Sequence, residues 1–356
     1  MNSKKQLELF PTFDLFELPL GQPYDPKIFP KNSIILETVD KARNLLMSHE
    51  KIMCSISGGW DSDIMLDLLI RCGGRSKVTF CFFDTGLEYE ATKRHLQFLE
   101  STYGISIKTL KAKKSIPVCC KKYGVPFWSK YASEMIHRLQ RNGFQWEDEL
   151  FEILLHRYPK CKSALRWWCN KWGDNSRFNI SWVPSLKEFM VKNPPTILIS
   201  SSCCEKAKKE PAHEEELYGG YDLICTGVRK MEGGKRATGF HSCFDQKMGK
   251  ADYYRPLFWW SDQDKEQYTQ FFNITRSDCY DIWGMDRTGC SGCPFGKNFE
   301  NELNLVQEFE PKRYKAINAI FGESYDYTRK FLAFRENAKR ESRVANTDDQ
   351  ISFPGF

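Results

Sequence analysis

The sequence predicts an α/β fold in which helices alternate with the strands of a mostly parallel sheet. Helix-like segments separate five apolar, strand-like runs, which lie near residues 51–56, 77–83, 105–110, 196–200 and 221–226. In such folds the ligand binds at the carboxyl ends of the strands, near the point where the strand order reverses. We therefore expect the functional residues to follow the strands directly.

Composition and charge are those of a globular protein with a substantial core. The 356 residues are 41% hydrophobic, and 52 basic against 46 acidic residues give a net charge of +6. No apolar run approaches the roughly 20 residues that span a bilayer, and residues 1–10 lack the apolar region of a signal peptide. We expect a cytoplasmic protein with no membrane partner, and the sequence leaves the oligomeric state open.

Three regions are predicted along the chain. Residues 1–33 contain five prolines, which favour an extended arm that either wraps the core or stays mobile. Residues 34–296 are expected to form the α/β domain, which opens with a helix over 34–48 and carries a helical insert at about 115–195. Residues 297–356 have the pattern of a C-terminal helical extension.

The first strand-like run leads through a glycine-rich segment into an amphipathic helix. The segment consists of Ser57, Gly58, Gly59, Trp60, Asp61 and Ser62. A strand, a glycine-rich turn and a helix N-terminus aim free backbone N–H groups at one point, which suits a phosphate. The glycines let the backbone approach the anion, and the serines can add hydroxyl donors. A carboxylate beside phosphates would repel them, so we interpret Asp61 as linked to Mg²⁺, with a simple helix cap as the alternative.

The pattern Ser-Gly-Gly-x-Asp-Ser over residues 57–62 resembles the pyrophosphate loop of the ATP-pyrophosphatase (PP-loop) superfamily. The resemblance implies an adenine-nucleotide-hydrolase-like, Rossmann-type sheet that binds ATP or another adenylyl nucleotide with Mg²⁺. It implies that the nucleotide contacts Ser57, Gly58, Gly59, Asp61 and Ser62. It also implies a catalytic role for Asp61.

Further motifs resemble the phosphoadenosine phosphosulfate (PAPS) reductase family of that superfamily. The similarity is carried by Asp84-Thr85-Gly86, by Thr226-Gly227-Val228-Arg229 with Arg236, and by Pro256-Leu257 with Trp260 and Asp264. The resemblance implies that the nucleotide is bound by Asp84, Thr85, Gly86, Gly227 and Arg229. Arg229 and Arg236 are then the catalytic cations that neutralise phosphate or sulfate charge, a bidentate task suited to guanidinium.

The sequence contains 14 cysteines. Because cytosolic thiols stay reduced, metal or redox use explains them better than a disulfide framework. Two pairs, Cys203-Cys204 and Cys290-Ser-Gly-Cys293, lie in polar or glycine-rich surroundings, and four thiolates could hold zinc or an iron–sulfur cluster. Two adjacent side chains rarely converge on one small tetrahedral ion, so we favour a [4Fe–4S] cluster, with separate unmetallated thiols as the alternative.

The same four cysteines resemble the [4Fe–4S] pattern of bacterial adenylyl-sulfate reductases. Residues 123–130 and 134–139 resemble a phage- and mobile-element-associated branch of the PAPS reductase-like family, which often shows the same cysteine elements. Those reductases carry their attacking cysteine in a C-terminal tail, whereas this sequence has no cysteine after Cys293. Cys161 and Cys169 are the candidates to replace it, because a spacing of eight places both on one helix face if the stretch is helical. We assign the catalytic role to Cys169.

Two segments are candidates for contact with nucleic acid. Arg166, Trp167 and Trp168 lie in a stretch that mixes cations with aromatics, which can follow phosphates and stack on bases or can form a packed amphipathic helix. Residues 108–122 contain six lysines and no acidic residue. This segment either guides a polyanion or solvates a loop.

Three hypotheses of function follow from these patterns. In the first, an enzyme binds ATP at residues 57–62, activates an oxygen by adenylation and delivers sulfur; nucleic acid and a cysteine desulfurase or other sulfur donor are its candidate partners. In the second, the enzyme reduces PAPS or adenylyl sulfate. In the third, the protein is a non-catalytic nucleotide and iron–sulfur sensor of a mobile-element system. We prefer the first, because no tail cysteine follows Cys293.

Overall fold

The computed structural model describes residues 15–232, 239–295 and 299–351, with side chains described up to residue 341. The chain divides into two compact units. The first unit comprises Met1–Phe83, Glu90–Leu110 and Ala212–Gly289, and the second comprises Asp84–Tyr89, Lys111–Pro211 and Cys290–Phe356.

A six-stranded sheet belongs to the first unit. Its strands are β1 (Ile52–Ile56), β2 (Val78–Asp84), β3 (Ile107–Lys111), β4 (Leu223–Thr226), β5 (Phe244–Asp245) and β6 (Asp252–Tyr254), in the spatial order β3-β2-β1-β4-β6-β5. β1 runs parallel to β2 and β4, and β4 runs parallel to β6, whereas β5 is antiparallel to β6. The predicted mostly parallel α/β sheet is confirmed. Its strand order reverses between β1 and β4, so the switch point lies where β1 leads into residues 57–62.

Helices follow the strands and form most of the second unit. They are α1 (Ser33–Ser48), α2 (Trp60–Leu69), α3 (Glu90–Tyr103), α4 (Ile116–Tyr123), α5 (Lys130–Arg141), α6 (Phe151–Arg157), α7 (Lys162–Trp168), α8 (Leu186–Lys192), α9 (Ser202–Cys204), α10 (Glu210–Tyr218), α11 (Asp262–Phe272), α12 (Asp278–Asp281), α13 (Phe299–Phe309) and α14 (Pro311–Ile351). A π-helical turn over Glu205–Lys209 joins α9 to α10. None of the described helices combines the length and apolar content that crossing a membrane requires.

The described part of the predicted N-terminal arm packs onto the first unit. Leu15, Phe16 and Leu18 lie against its hydrophobic core. The Arg43 guanidinium donates hydrogen bonds to backbone carbonyls of the arm, at Pro19 (2.9 Å) and Gln22 (2.6 Å). Of the two alternatives, wrapping the core is therefore confirmed for residues 15–32, while residues 1–14 lie outside the described part of the chain.

The predicted strand at 196–200 is wrong. This segment contributes only an isolated parallel bridge between Ile199 and Val125, within the second unit. The side-chain amide of Gln140 satisfies the neighbouring backbone, since it donates to the Ile197 carbonyl and accepts from the Ile199 N–H. Two prolines also precede the segment and donate no backbone hydrogen bonds. The short strands β5 and β6, at one end of the sheet, were not predicted.

The second unit has a hydrophobic core of its own. Helices α4 to α8 lie in the predicted helical insert, and α13 and α14 lie in the predicted C-terminal extension. Trp167 and Trp168 are 2% and 0% exposed and pack in this core with Phe144, Phe189 and Phe331. The packed-helix interpretation of this stretch is therefore correct, and the two rings are not available for stacking on bases.

Candidate functional site

The segment after β1 can be built only from glycine at its centre. Gly58 has a φ of +66°, and a Cβ atom there would lie 2.9 Å from Cγ2 of Thr92. A Cβ atom on Gly59 would lie 3.1 Å from both the Tyr280 hydroxyl and the Thr288 hydroxyl. The left-handed backbone and the close approach of neighbouring side chains thus explain the two glycines of the sequence pattern.

Ser62 holds the segment together from within. Its Oγ accepts hydrogen bonds from the N–H groups of Ser57 (3.2 Å) and Gly59 (3.1 Å), and it donates to the Gly59 carbonyl (2.7 Å). The Trp60 N–H donates to the Tyr280 hydroxyl at 3.3 Å. The expectation that these N–H groups are free is therefore wrong for this conformation. Ser62 orders the turn, and the positive end of α2 follows it.

The charged residues of the site centre on Asp61. Its Oδ1 lies 2.6 Å from Nζ of Lys265 and 3.1 Å from Nε of Arg229. The Lys265 and Arg229 side chains are only 5% and 9% exposed, whereas Asp262, which lies 2.9 Å from Nη1 of Arg229, is 74% exposed. Gly227 lies beside the same turn, because a Cβ atom there would be 3.7 Å from the Ser62 nitrogen. Two buried cations thus adjoin one partly buried carboxylate.

Lys265 was not identified from the sequence. It follows Asp264, the last residue of the motif formed by Pro256-Leu257, Trp260 and Asp264, but its approach to Asp61 depends on the packing of α11 beside α2. Burial lowers the pKa of Lys265, against the opposing effect of Asp61. Its ammonium also lies 3.9 Å from the centroid of the Trp60 ring, and the Arg276 guanidinium lies 4.8 Å from that centroid.

A second buried polar pair links α2 to α3. Nε2 of His95 lies 2.7 Å from Oδ2 of Asp63, and both side chains are almost completely buried. Burial acts to lower the pKa of His95, but the charge and hydrogen bond of Asp63 outweigh it and raise that pKa. Asp63 follows Ser62 in the first turn of α2. The pair therefore fixes the start of α2 to the neighbouring helix α3.

The Asp84-Thr85-Gly86 turn is described within the second unit. Oδ1 of Asp84 accepts from the Gly86 N–H (2.8 Å), while the Thr85 N–H and hydroxyl donate to Oε1 of Glu88 (3.2 and 2.6 Å). The Thr85 hydroxyl also lies 3.7 Å from Sγ of Cys290. These contacts order the turn and connect it to a cysteine, whereas its contact with a nucleotide stays a prediction.

The second unit also gathers the four cysteines that were proposed as metal ligands. Interaction with Cys120 raises the pKa of the Cys203 thiol, and interaction with Cys203, together with burial, raises that of Cys204. Burial raises the pKa of Cys290 to about 11 and that of Cys293 to about 12, with Cys204 contributing to both. Cys120 was missed in the sequence, although its doublet with Cys119 repeats the pattern of Cys203-Cys204.

This set of thiols suits an iron–sulfur cluster by its donor chemistry. Several neutral thiols share one low-dielectric region, where their raised pKa values reflect burial and the mutual repulsion of thiolates. A bound metal would relieve that repulsion by ligating the thiolates. The side chains do not stand in ligating positions, since no three His, Cys, Asp or Glu residues in the described ranges form a metal-binding group.

The remaining predicted site residues lie elsewhere. Cys161 and Cys169 flank the two ends of α7 instead of sharing its face, and burial raises the pKa of both thiols. A raised pKa disfavours the nucleophilic thiolate that the catalytic assignment of Cys169 requires. Arg236 lies outside the described residues. Arg166 stacks on the ring of Trp172, 5.3 Å from its centroid.

Residues 51–142 match the phosphoadenosine phosphosulfate reductase domain. The matched stretch contains the segment of residues 57–62, the Asp84-Thr85-Gly86 turn and helix α4 with Cys120. It ends before the four cysteines that were proposed as ligands.

Similarity to individual proteins is distant. An uncharacterized protein of Methanocaldococcus jannaschii is 24% identical over 272 residues, which are 76% of this chain and 42% of that protein. The chain thus spans less than half the length of this relative. The PAPS reductase of Candida auris in a phosphate complex is 13% identical, with a TM-score of 0.39 over 71% of this chain and 87% of that one. The U34-tRNA thiolase of Methanococcus maripaludis with its [4Fe–4S] cluster is 14% identical, with a TM-score of 0.35 over 85% and 79%.

Proposed function

We propose that the protein binds ATP at residues 57–62 and adenylates an oxygen of its substrate so that sulfur can replace it. The observation that carries this proposal is the pair of buried cations, Lys265 and Arg229, on the carboxylate of Asp61. Buried cations cost free energy unless nearby anions compensate them. Asp61 supplies one negative charge, and Asp262 is largely exposed. A polyphosphate at the start of α2 would supply the remaining compensation.

In the first proposed step, a carbonyl oxygen of an amide-type group attacks the α-phosphorus of ATP. A bond forms between that oxygen and phosphorus, the bond from the α-phosphorus to the bridging oxygen breaks, and pyrophosphate leaves as the amide loses its proton. In the second step, hydrosulfide attacks the activated carbon, and AMP leaves with the original oxygen. The proton of hydrosulfide replaces the proton that the amide lost, so neither step needs an oxidant or a reductant.

The roles of the residues follow from their charges. Arg229 and Lys265 would neutralise the charge that develops on the leaving pyrophosphate. Ser62 would keep the turn in shape, with the N-terminus of α2 directed at the phosphates. When bound, Mg²⁺ would neutralise phosphate charge beside Asp61, and a [4Fe–4S] cluster on Cys203, Cys204, Cys290 and Cys293 would supply iron sites for sulfur. A sulfur donor is the partner that this chemistry requires.

The reduction of PAPS or adenylyl sulfate is the second candidate. The family match over residues 51–142 favours it. Such a reductase needs a thiolate that attacks the sulfur of the substrate. The raised pKa values of Cys161 and Cys169 argue against these two thiols in that role. We therefore rank sulfur transfer first.

Product analysis distinguishes the two candidates. The anaerobically purified protein would be incubated separately with ATP, adenylyl sulfate and PAPS, with cellular RNA and sulfide present in the ATP reaction. We expect equal amounts of AMP and pyrophosphate from ATP and no sulfite from the other two nucleotides. Asp61→Asn should abolish the ATP reaction, whereas Asp262→Asn, an exposed control, should retain most of it. Sulfite formation would establish the reductase instead, and no product from any nucleotide would favour a non-catalytic sensor.

A further inference from the structure

Helix α4 separates the cysteines of the second unit from an exposed group of lysines. Its inner side carries the buried Cys119 and Cys120, and α4 packs beside α9, which carries Cys203. Its outer side carries the exposed Lys121 and Lys122. Because a helix with its side chains is about 10–12 Å across, a molecule bound on the outer side would lie close to the thiols.

The segment that leads into α4 is fixed to its surroundings. The Ala112 N–H donates to the Asp84 carbonyl and the Ile116 N–H donates to the Thr85 carbonyl, both at 2.9 Å. Sγ of Cys119 donates to the carbonyl of Lys114 at 3.4 Å. These anchors hold the backbone between Ala112 and Cys119 in place, which favours the polyanion interpretation of residues 108–122 over the solvated-loop interpretation.

The sequence around α4 is rich in lysine. Residues 108–130 contain seven lysines and no acidic residue. Among the described side chains, no carboxylate lies within 4.0 Å of the ammonium groups of Lys114, Lys121 and Lys122. By contrast, the nearby Lys206 and Lys209 pair with Glu210 and Glu205. The ammonium groups of Lys114, Lys121 and Lys122 are therefore open to an anionic partner.

An aromatic ring lies among these lysines. The hydroxyl of Tyr123 accepts a hydrogen bond from Nζ of Lys114 at 3.3 Å, and Nζ of Lys122 lies 5.4 Å from the ring centroid. The Lys114 hydrogen bond lowers the pKa of Tyr123. A partly exposed aromatic ring between cations is the combination that single-stranded nucleic acids use, with phosphates on the cations and a base on the ring.

We propose that Lys114, Lys121, Lys122 and Tyr123, the lysine surface, bind a single-stranded segment of a nucleic acid. The observations that carry the proposal are three lysines with no described carboxylate within 4.0 Å, the aromatic ring beside two of them and the cysteines behind the same helix. The nucleic acid would be the substrate of the proposed sulfur transfer. Its role as a substrate rests on that proposed function, whereas its binding to the lysine surface does not. An acidic protein would match the charge, but it would gain nothing from the ring.

Fluorescence anisotropy with a short fluorescein-labelled single-stranded RNA tests the proposal in the full-length protein. We expect the affinity to fall steeply with salt concentration. For single strands, each lost phosphate contact removes about 0.7 from the slope of log affinity against log salt. Lys121→Gln combined with Lys122→Gln should therefore reduce that slope by about 1.4. The affinity at about 0.1 M salt should fall by about 20-fold. Lys160→Gln combined with Lys162→Gln removes two exposed lysines of the same unit and should leave the slope unchanged.

Three further measurements complete the test. Tyr123→Leu should weaken binding by roughly tenfold without changing the salt slope, because stacking is not electrostatic. Circular dichroism confirms that each variant is folded, and the lysine variants should bind ATP as the wild type does. If the wild type did not bind ATP, the proposed function would be refuted, but the proposal for the lysine surface would be unaffected.

Two outcomes would overturn the lysine surface. One is equal salt slopes and affinities for the Lys121/Lys122 and Lys160/Lys162 variants. The other is displacement of the RNA by poly-glutamate at equal charge, together with an unchanged affinity of Tyr123→Leu, which would identify an acidic protein as the partner. A single-stranded DNA and a duplex RNA of the same sequence, run in parallel, identify which nucleic acid is preferred.

Discussion

The ammonium of Lys265 lies 2.6 Å from Oδ1 of Asp61, within a site where Arg229 approaches the same oxygen to 3.1 Å. Oδ1 of Asp61 cannot form a full-strength ion pair with Lys265 and coordinate a metal ion at the same time. Nucleotide binding should therefore redistribute these contacts, with phosphate oxygens taking the cations and Mg²⁺ taking the carboxylate. This exchange underlies the first two predictions.

Replacing Asp61 by asparagine should weaken Mg²⁺-dependent ATP binding by about tenfold or more, because an amide offers Mg²⁺ no negative charge and a contact with a charged group contributes about 1.5–3 kcal/mol. It should also lower the free energy of unfolding by about 2–3 kcal/mol, because Lys265 stays buried without its partner. Calorimetric titration and urea unfolding measure the two effects. Asp262→Asn is the control, since its carboxylate is largely exposed. Unchanged ATP affinity in Asp61→Asn would refute the assignment of the loop.

Lys265→Met should weaken ATP binding by about tenfold, because it removes a cation from the phosphates while keeping an apolar stem of similar length. Lys265→Arg should retain part of the affinity, since it keeps the charge. Equilibrium dialysis with labelled ATP compares the two variants. If Lys265→Met bound ATP as well as the wild type does, the ion pair with Asp61 would be structural only.

Gly58→Ala should lower the free energy of unfolding by about 2 kcal/mol and abolish ATP binding. The φ of +66° is unfavourable for alanine by about 1–2 kcal/mol, and the new methyl group would approach Cγ2 of Thr92 to 2.9 Å. Gly322→Ala is a matched control in helix α14, where a Cβ atom meets nothing within 4 Å. That control should raise stability by about 0.5–1 kcal/mol. Equal effects of the two substitutions on thermal unfolding would contradict the loop argument.

Cys203→Ser and Cys290→Ser should each lose iron and acid-labile sulfide from anaerobically prepared protein. Cys120→Ser should keep both, because Cys120 neighbours Cys203 without belonging to the proposed ligand set. Chemical analysis and absorbance near about 400 nm measure the cluster. Stoichiometric zinc without sulfide in the wild type would show that the cluster assignment is wrong. Loss of iron in Cys120→Ser would instead place Cys120 among the ligands.

The His95–Asp63 pair should make stability depend on pH. The pKa of His95 is raised in the folded state above its ordinary value of 6.5. A raised folded-state pKa means that this stabilisation is fully present below pH 6.5 and is lost as the pH rises through the folded-state pKa. The difference in unfolding free energy between wild type and His95→Gln should thus be larger at about pH 6 than at about pH 9. Urea unfolding at both values tests the sign, and a larger difference at the higher pH would contradict it.

Local patterns were sufficient for some features and insufficient for others. The turn after β1 could be predicted, because a strand, two glycines and a helix start are contiguous in the sequence. Lys265 could not, since it lies some two hundred residues from Asp61 and resembles any lysine of an amphipathic helix. Cations alternating with aromatics, as in Arg166-Trp167-Trp168, fit a core helix and a stacking surface equally well, and only burial distinguishes them.

The wrong prediction of a strand at 196–200 and the failure to predict a role for Cys120 have a similar cause. An apolar run predicts a strand only if other strands satisfy its backbone, and here the side chain of Gln140 does so. Cys120 lies in a segment that had attracted notice for its lysines. Its proximity to Cys203 depends on α4 packing beside α9, which no local spacing encodes.

The centroid of the Trp60 ring lies 3.9 Å from the ammonium of Lys265 and 4.8 Å from the guanidinium of Arg276, and the indole N–H donates a hydrogen bond to Thr269. A nearby positive charge shifts the excited-state energy of an indole. Any ligand that draws Lys265 away should therefore change the fluorescence emission wavelength of Trp60. The site therefore carries its own optical reporter. The emission of the wild type minus that of Trp60→Phe would follow occupancy in real time, without a label and without knowledge of the substrate.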